Sequence, residues 1–282
     1  MAAISADCPP PGVATDWTLP QGWENYSAAE HALWDRLFRQ QCAMLPGRVT
    51  PEFLDGIRLL RMDEPGIPDF RRLSERLHRL TGWQVVAVPG LVPDEVFFDH
   101  LANRRFVSGN FLRKPEQLDY LQEPDVFHDV FGHVPLLAHP VFADYMQAYG
   151  KGGQRAQGLG VMERLSRLYW YTVEFGLVRS AQGLRIYGAG IVSSRTESIF
   201  ALEDASPHRV GFDLRRVMRT RYRIDDFQQT YFVIDSFDDL LERTLHTDFG
   251  PLYAELADTR ELAPTEIIPG DQVFQRGSQR HG

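Results

Sequence analysis

Residues 123–135 read Glu123-Pro124-Asp125-Val126-Phe127-His128-Asp129-Val130-Phe131-Gly132-His133-Val134-Pro135. The stretch predicts a short helix over 124–132: proline is preorganised for a first helical position, and the acids Glu123 and Asp125 sit at the helix's positive end. Two histidines lie five residues apart on it. In a regular α-helix that separation turns side chains roughly 140° from each other, too wide for one face. The stop at Gly132 and Pro135 lets the backbone turn at His133 and relaxes the constraint. Two readings stand. The histidines are partly buried and satisfy each other or the backbone, or they share a metal ion.

A carboxylate in an apolar run bears on that choice. Glu174 lies in Leu168-Tyr169-Trp170-Tyr171-Thr172-Val173-Glu174-Phe175-Gly176-Leu177, with Trp170 one turn before it and Val178 one turn after. A charge on such a face needs a partner. One candidate is an arginine, Arg179 or Arg195; the other is a metal. Two histidines and a carboxylate make the facial ligand set of non-haem iron(II) oxygenases. They also make the His2Glu set of a catalytic zinc. The zincin motif H-E-x-x-H is not matched, because four residues separate the histidines and Asp129 follows the first.

Around this centre the periodicity is mostly helical. A first helix starts at the capping-box spacing Ser27-Ala28-Ala29-Glu30, carries Leu33, Trp34, Leu37 and Phe38 on one face, and stops at Pro46-Gly47. A second runs from Pro51 through Leu60, and a third from Pro68-Asp69 to Gly82. Trp83 to Val88 reads as a strand, Pro93 through Leu101 as a helix, and Phe106 to Leu112 as extended chain. Helices are predicted over Pro140 to Gly150, Val161 to Val178, Ser194 to Leu202 and Phe237 to Leu245, and strands over Leu184 to Tyr187 and Tyr231 to Ile234. Residues 1–22 are rich in Pro and Gly and read as a loose arm; beyond about Ala257 the chain turns polar and loop-like. The expected class is mainly α with a few short strands (α+β), with an arm over 1–22, one domain over 23–257 and a tail over 258–282.

Composition excludes several classes. Of 282 residues, 43% are hydrophobic and 24% charged, which fits an ordinary globular chain and not a disordered, collagen-like or coiled-coil one. The net charge of −8 argues against nucleic acid or an anionic membrane as a bulk-charge partner. No apolar run approaches the ~20 residues of a membrane helix. Met1 to Gly12 has no basic residue and no apolar segment, so it does not read as a secretory signal. Cys8 and Cys42 are the two cysteines, and with Cys8 in the arm no disulfide framework is expected. The expected setting is a reduced, cytoplasmic one.

Taken together, four segments carry a resemblance. Pro124 to Leu136 resembles the iron-ligand signature of the pterin-dependent aromatic amino acid hydroxylases. Tyr169 to Leu177 is similar to that family's third-ligand segment, Tyr187-Gly188-Ala189-Gly190-Ile191-Val192-Ser193-Ser194 to its active-site glycine loop, and Phe227 to Phe237 to a fourth segment. The likeness runs over roughly residues 24 to 247, in family order, and leans toward the short bacterial phenylalanine hydroxylases. It implies a single catalytic domain of that family's type. It also implies iron(II), a tetrahydropterin resembling tetrahydrobiopterin, and dioxygen, acting on L-phenylalanine to give L-tyrosine, with pterin-recycling enzymes as functional partners.

Carried over by residue, the resemblance makes His128, His133 and Glu174 the iron ligands and catalytic residues. Arg113, in Phe111-Leu112-Arg113-Lys114-Pro115, matches the arginine that holds the substrate carboxylate, a task suited to a guanidinium fork. Tyr120, Pro124, Trp170, Phe175, Gly190 and Ser193 fall to the amino acid pocket. Gly90, Leu91, Val92 and Phe97 fall to the pterin, with Asp129 and Tyr169 beside them. There are departures from the vertebrate enzymes. Asp129 stands where they carry Glu, so its pterin contact would run through water, and Leu121 stands where they carry Thr. Their regulatory domain and oligomerisation helix have no counterpart here, which implies a monomer. The resemblance also admits tryptophan hydroxylation, against which Trp170 stands, and tyrosine as substrate, against which Val233 stands. Outside it, the ligand set alone admits a His2Glu zinc hydrolase or a non-catalytic metal-binding protein.

Overall fold

The computed structural model describes residues 8–115 and 123–278. They form two compact units, one from residues up to Met44 together with Pro51–Gly158, the other from Leu45–Thr50 together with residues from Leu159 onward.

The first unit is built on α1 (Ala28–Met44), α2 (Pro51–Leu59), α3 (Phe70–Thr81), β1 (Gln84–Val88), α4 (Asp94–Ala102) and β2 (Arg105–Gly109). Local chemistry sets these boundaries. Glu30 accepts from Ser27 N and Oγ while Ser27 Oγ receives Glu30 N, the reciprocal box expected at the start of α1. Asp69 caps α3 and Gly82 ends it at φ 76°, a left-handed turn that glycine adopts without strain. β1 and β2 pair in parallel, with α4 as the crossover.

The signature stretch departs from the α-helix expected over 124–132. Residues Phe127–His133 form a π-helix that runs on into α5 (Val134–Leu137). Pro124 and Asp125 lie outside it; the Asp125 carboxylate instead accepts from His128 N at 3.0 Å and acts as its cap. Its apolar side is fixed by rings. Phe127 stacks on Phe131 at 4.8 Å, Trp34 of α1 meets Phe127 edge-on, and Phe53 of α2 meets Phe131 edge-on. Gly56 lets α2 pass against α5, since a Cβ there would stand 2.0 Å from the Pro135 carbonyl.

α6 (Pro140–Leu159) also outruns its expected end at Gly150. The glycines inside it are contact points rather than stops. A Cβ on Gly150 would reach within 2.4 Å of Ala102 N, and one on Gly153 within 1.9 Å of the Phe98 ring. Packing against α4 outweighs the ~1 kcal/mol helix penalty of each glycine.

The second unit holds α7 (Met162–Tyr169), a second π-helix (Trp170–Glu174), β3 (Leu177–Ser180), β4 (Gly183–Ile186), α8 (Ala189–Val192), α9 (Arg195–Glu203), β5 (His208–Gly211), α10 (Leu214–Arg219), β6 (Thr230–Ile234), α11 (Phe237–Leu245), α12 (Phe249–Ala257) and β7 (Val273–Gln275). The strands order β4-β3-β6-β5-β7, with parallel pairs at the centre and antiparallel edges. The helix expected over 161–178 therefore ends at Glu174, and Leu177 and Val178 enter the sheet. Gly176 permits the exit, because a Cβ there would collide with the Tyr187 ring at 2.1 Å.

Both expected loose ends are partly fastened. Trp17 is 4% exposed, Leu19 pairs with Ala87, and Gln21 bonds Phe70 N and Pro68 O. At the other end Leu262 is fully buried opposite Thr220, and Arg216 and Asp271 form a buried ion pair at 2.9 Å. Among the described residues no helix is long and apolar enough to cross a membrane, and both cysteines are free thiols.

Candidate metal and substrate site

The π-helix resolves the angular problem posed by the histidine spacing. Its wider turn brings side chains five apart much nearer to one face than the roughly 140° of an α-helix. His128 and His133 accordingly bring their Nε2 atoms to 3.4 Å, with rings almost perpendicular. His133 is 5% exposed and lies against Phe106. Two imidazole nitrogens this close suit one N–H donating to its neighbour, or two lone pairs turned on a cation.

Glu174 ends the second π-helix, where Phe175 N donates to the Trp170 carbonyl at 2.9 Å. The ligand atoms of His128, His133 and Glu174 all lie within 4.8 Å of one another. Arg179, one arginine partner considered for Glu174, pairs with Asp235 instead. The donors are two imidazoles and a carboxylate with no thiolate, a set that suits iron(II) and leaves coordination positions for other ligands.

Arg113 and Asp125 form a tight unit behind His128. The Asp125 side chain is fully buried and accepts from Arg113 N at 2.9 Å and from Nε and Nη2 at 2.8 Å each, besides His128 N. Burial pushes its carboxyl up, but the Arg113 guanidinium and these bonds outweigh that and hold it below the usual carboxylate range. The guanidinium also rests over the Phe127 ring at 5.6 Å. The two-pronged edge expected to grip a substrate is thus engaged by Asp125. A ligand carboxylate has to be met by Nη1 and the remaining Nη2 proton.

The other expected residues fall as follows. Asp129 Oδ2 accepts from Gly109 N at 2.9 Å, anchoring the π-helix to the end of β2. Gly90, Leu91 and Val92 connect β1 to α4, with Leu91 exposed. Phe97, on α4, is half-buried and meets Phe98 edge-on. Pro124 is half-buried beside Asp125. Tyr120 lies outside the described residues. Tyr169 is the last residue of α7 and is half-buried. Trp170 stacks on Tyr222 at 4.4 Å and packs against Phe175 at 4.8 Å, while its Nε1 donates to Gln228 Oε1 at 2.9 Å. Phe175 covers Gly190, where a Cβ would stand 2.8 Å from the ring; one on Gly188 would stand 2.4 Å from the Glu174 carbonyl. The glycine loop therefore lies directly on the backbone that carries Glu174. Ser193 is buried and donates to the Ala189 carbonyl at 2.8 Å.

Four contributors were not singled out from the sequence: Asp125, Tyr222, Gln228 and Glu197. Asp125 had a signal, as a capping acid just ahead of the first histidine. Tyr222 and Gln228 lie more than fifty residues from Trp170 and have no local one. Glu197 is buried, accepts from Gln228 N at 3.3 Å and from the Tyr231 hydroxyl, and its carboxyl is pushed up to about 7, chiefly by burial. Because the folded value lies above the unfolded one, its protonated form favours the fold. That contribution is complete below about pH 4.5 and is lost as pH rises through about 7. Urea titrations of Glu197→Gln should show the parent's decline between those values flattened, by up to ~3 kcal/mol. An unchanged pH profile would mean Glu197 is ionised throughout.

Comparisons with known proteins place this geometry. The model of the family described as biopterin-dependent aromatic amino acid hydroxylase matches residues 19–248. The phenylalanine-4-hydroxylase of Caulobacter vibrioides is 66% identical, covering 97% of this chain and 92% of that protein. That of Chromobacterium violaceum is 58% identical, covering 95% and 90%. A crystal structure of the Chromobacterium violaceum phenylalanine hydroxylase with iron and phenylalanine bound has a TM-score of 0.89 at 58% identity, covering 93% of this chain and 95% of that one. Another, with oxidised Fe(III) bound, has a TM-score of 0.90. The chain belongs to the biopterin-dependent aromatic amino acid hydroxylases.

Proposed function

We propose that this protein is a phenylalanine 4-monooxygenase that converts L-phenylalanine to L-tyrosine with dioxygen and a tetrahydropterin, on iron(II) held by His128, His133 and Glu174. The observation that carries the reading is the convergence of those three donor groups, in a chain whose relatives are phenylalanine-4-hydroxylases. Bound there, iron and reduced pterin supply the electrons that activate dioxygen. The protein's own residues bind, orient and exclude water. Both histidines must offer neutral lone pairs, and Asp125 fixes the backbone at the first of them. Arg113, held by Asp125, meets the amino acid carboxylate with its remaining donors. Trp170, Phe175, Gly190, Ser193 and Pro124 would line the side-chain pocket, with Tyr222 and Gln228 fixing the indole; Tyr120 is carried over by the resemblance alone. Gly90, Leu91, Val92 and Phe97 would hold the pterin, with Asp129 and Tyr169 as further candidates. A screen of phenylalanine, tryptophan and tyrosine with iron(II) and a tetrahydropterin tests the reading by product identification. Tyrosine from phenylalanine supports it; pterin-independent turnover or no product from phenylalanine overturns it.

Arg113→Lys keeps the charge but loses the fork that locks onto Asp125. The KM for phenylalanine is expected to rise about tenfold or more, one decade being ~1.4 kcal/mol, while the KM for the pterin moves much less. Steady-state kinetics varying each substrate separately check this; equal shifts in both constants would point to a folding defect instead.

The protein acts as a cytoplasmic monomer in this reading. The segment after Ala257 contains Pro264, Pro269 and Gly270 without a heptad pattern, and Leu262, Asp271 and β7 fasten it to its own unit. Light scattering at micromolar concentration should return one chain's mass; a stable tetramer would refute the expectation.

A further inference from the structure

We propose that an arginine-lined cleft in the second unit binds a small anion carrying two or more phosphate groups. The cleft has a volume of about 790 Å³ and is lined by Arg48, Arg179, Arg185 and Arg209, with Glu203 as its one lining carboxylate and Phe274 at its side. That volume falls within the range of small-molecule sites. In a chain of net charge −8, four guanidinium groups around one opening stand against the general balance.

Their existing partners leave the excess in place. Arg48 pairs with Glu203 at 2.6 Å and Arg179 with Asp235 at 2.8 Å, both at partly exposed positions where such pairs are weak and open to exchange. Arg185 donates to the carbonyls of Gln182 and Leu184, at 3.3 and 2.9 Å. Arg209 donates to those of Ala201, Phe200 and Asp204. Among the described residues neither Arg185 nor Arg209 has a carboxylate within ion-pair distance. Arg209 is only 2% exposed, and its Nη1 is buried with no hydrogen-bond partner. A buried guanidinium with no carboxylate in ion-pair contact is costly; burial pushes its pKa down, against the longer-range pull of Tyr231 and the Asp204 carboxylate. An anion in the cleft would supply the negative charge that the four arginines lining it lack. Guanidinium forks match phosphate oxygens two at a time, and several arginines favour a multivalent anion over a single carboxylate. Phe274, 37% exposed, offers a ring beside them. The phosphates could therefore belong to pyrophosphate-like species or to a nucleotide.

Calorimetric titration of the full-length protein with pyrophosphate at low salt tests the site. One equivalent is expected to bind, with affinity falling at least tenfold in Arg185→Gln and in Arg179→Gln/Arg185→Gln. It should also weaken steeply as sodium chloride is raised. Arg209→Met should lose binding as well; Arg185→Gln, at a partly exposed position, keeps the test valid if that variant folds poorly. Phenylalanine hydroxylation should be unchanged in Arg185→Gln. No heat with the parent protein would overturn the proposal. So would equal affinity in the double variant, which would seat the anion elsewhere, such as at the metal centre. Repeating the titration with ATP separates the sources. A Phe274→Ala variant that weakens ATP but not pyrophosphate identifies a nucleotide, and equal weakening of both identifies the phosphates alone; no effect on either overturns the cleft as the site.

Discussion

Glu174→Gln is expected to lower iron content and tyrosine formation by orders of magnitude while the fold survives. The amide has nearly the same shape as the carboxylate, so the second π-helix and the Gly188–Gly190 loop on its backbone keep their packing. What disappears is the negative charge beside His128 and His133. A facial set of two imidazoles and a neutral amide binds a divalent iron far more weakly, because the carboxylate supplies the anionic share of the coordination. Metal analysis after dialysis, tyrosine formation and a thermal melt together decide the matter. Parent-like iron content and activity would exclude Glu174 as a ligand, and a collapsed melt would mean that the carboxylate mainly serves the fold.

Asp125→Ala should be the most damaging single change outside the ligands. It removes the acceptor of Arg113 N, Nε and Nη2 and of His128 N at once. The Arg113 guanidinium, 10% exposed, is then left buried without its counter-charge. Breaking a buried pair from one side typically costs about 3–5 kcal/mol, which for a chain of this size is a fall in Tm of roughly 10 °C or more. Turnover should fall as well, because His128, a proposed iron ligand, loses the acceptor of its backbone N–H. Arg113→Met/Asp125→Ala should be less destabilised than the sum of its parts, since the double change leaves no orphan charge. Additive losses would mean the two side chains act independently. The held-down carboxyl of Asp125 also gives the sign of the acid response. Its folded pKa lies below the unfolded one, so its stabilisation is present at neutral pH and is lost as pH falls through the folded value. Asp125→Ala should therefore show a shallower acid decline than the parent.

The parts of this protein that were legible in its sequence are those decided within a few residues. Ser27 with Glu30, Asp69, Gly82 and Ser194 each mark a helix end by side-chain or backbone chemistry that acts over one turn, and each helix begins or ends there. The proposed site was legible by residue type: His128, His133 and Glu174 stand out as candidate ligands, their donor atoms lie within 4.8 Å of one another, and their segments resemble one family in order. Where the sequence alone misled, the deciding contact lay far away along the chain. α6 runs through Gly150 and Gly153 because Ala102 and Phe98 pack on them. Leu177 and Val178 leave the helical register because they pair with Val233 and Ile234. Arg113 turns its fork to Asp125, twelve residues on.

The sequence by itself determined the helix ends that rest on local caps and turns, the mainly helical class, the family and the candidate metal donors. Only the tertiary structure decided that the helices bearing the proposed ligands are π rather than α, that Asp125 holds Arg113, and that Tyr222 and Gln228 fix Trp170. The physical reason is the reach of the interactions. Capping and turn preferences act through adjacent peptide groups and leave their mark at fixed offsets. A π-helix is uncommon on propensity alone; here it is stabilised by Trp34 and Phe53 packing on Phe127 and Phe131. Those contacts exist only after distant elements have met, so nothing in the thirteen residues from Glu123 to Pro135 could have announced them.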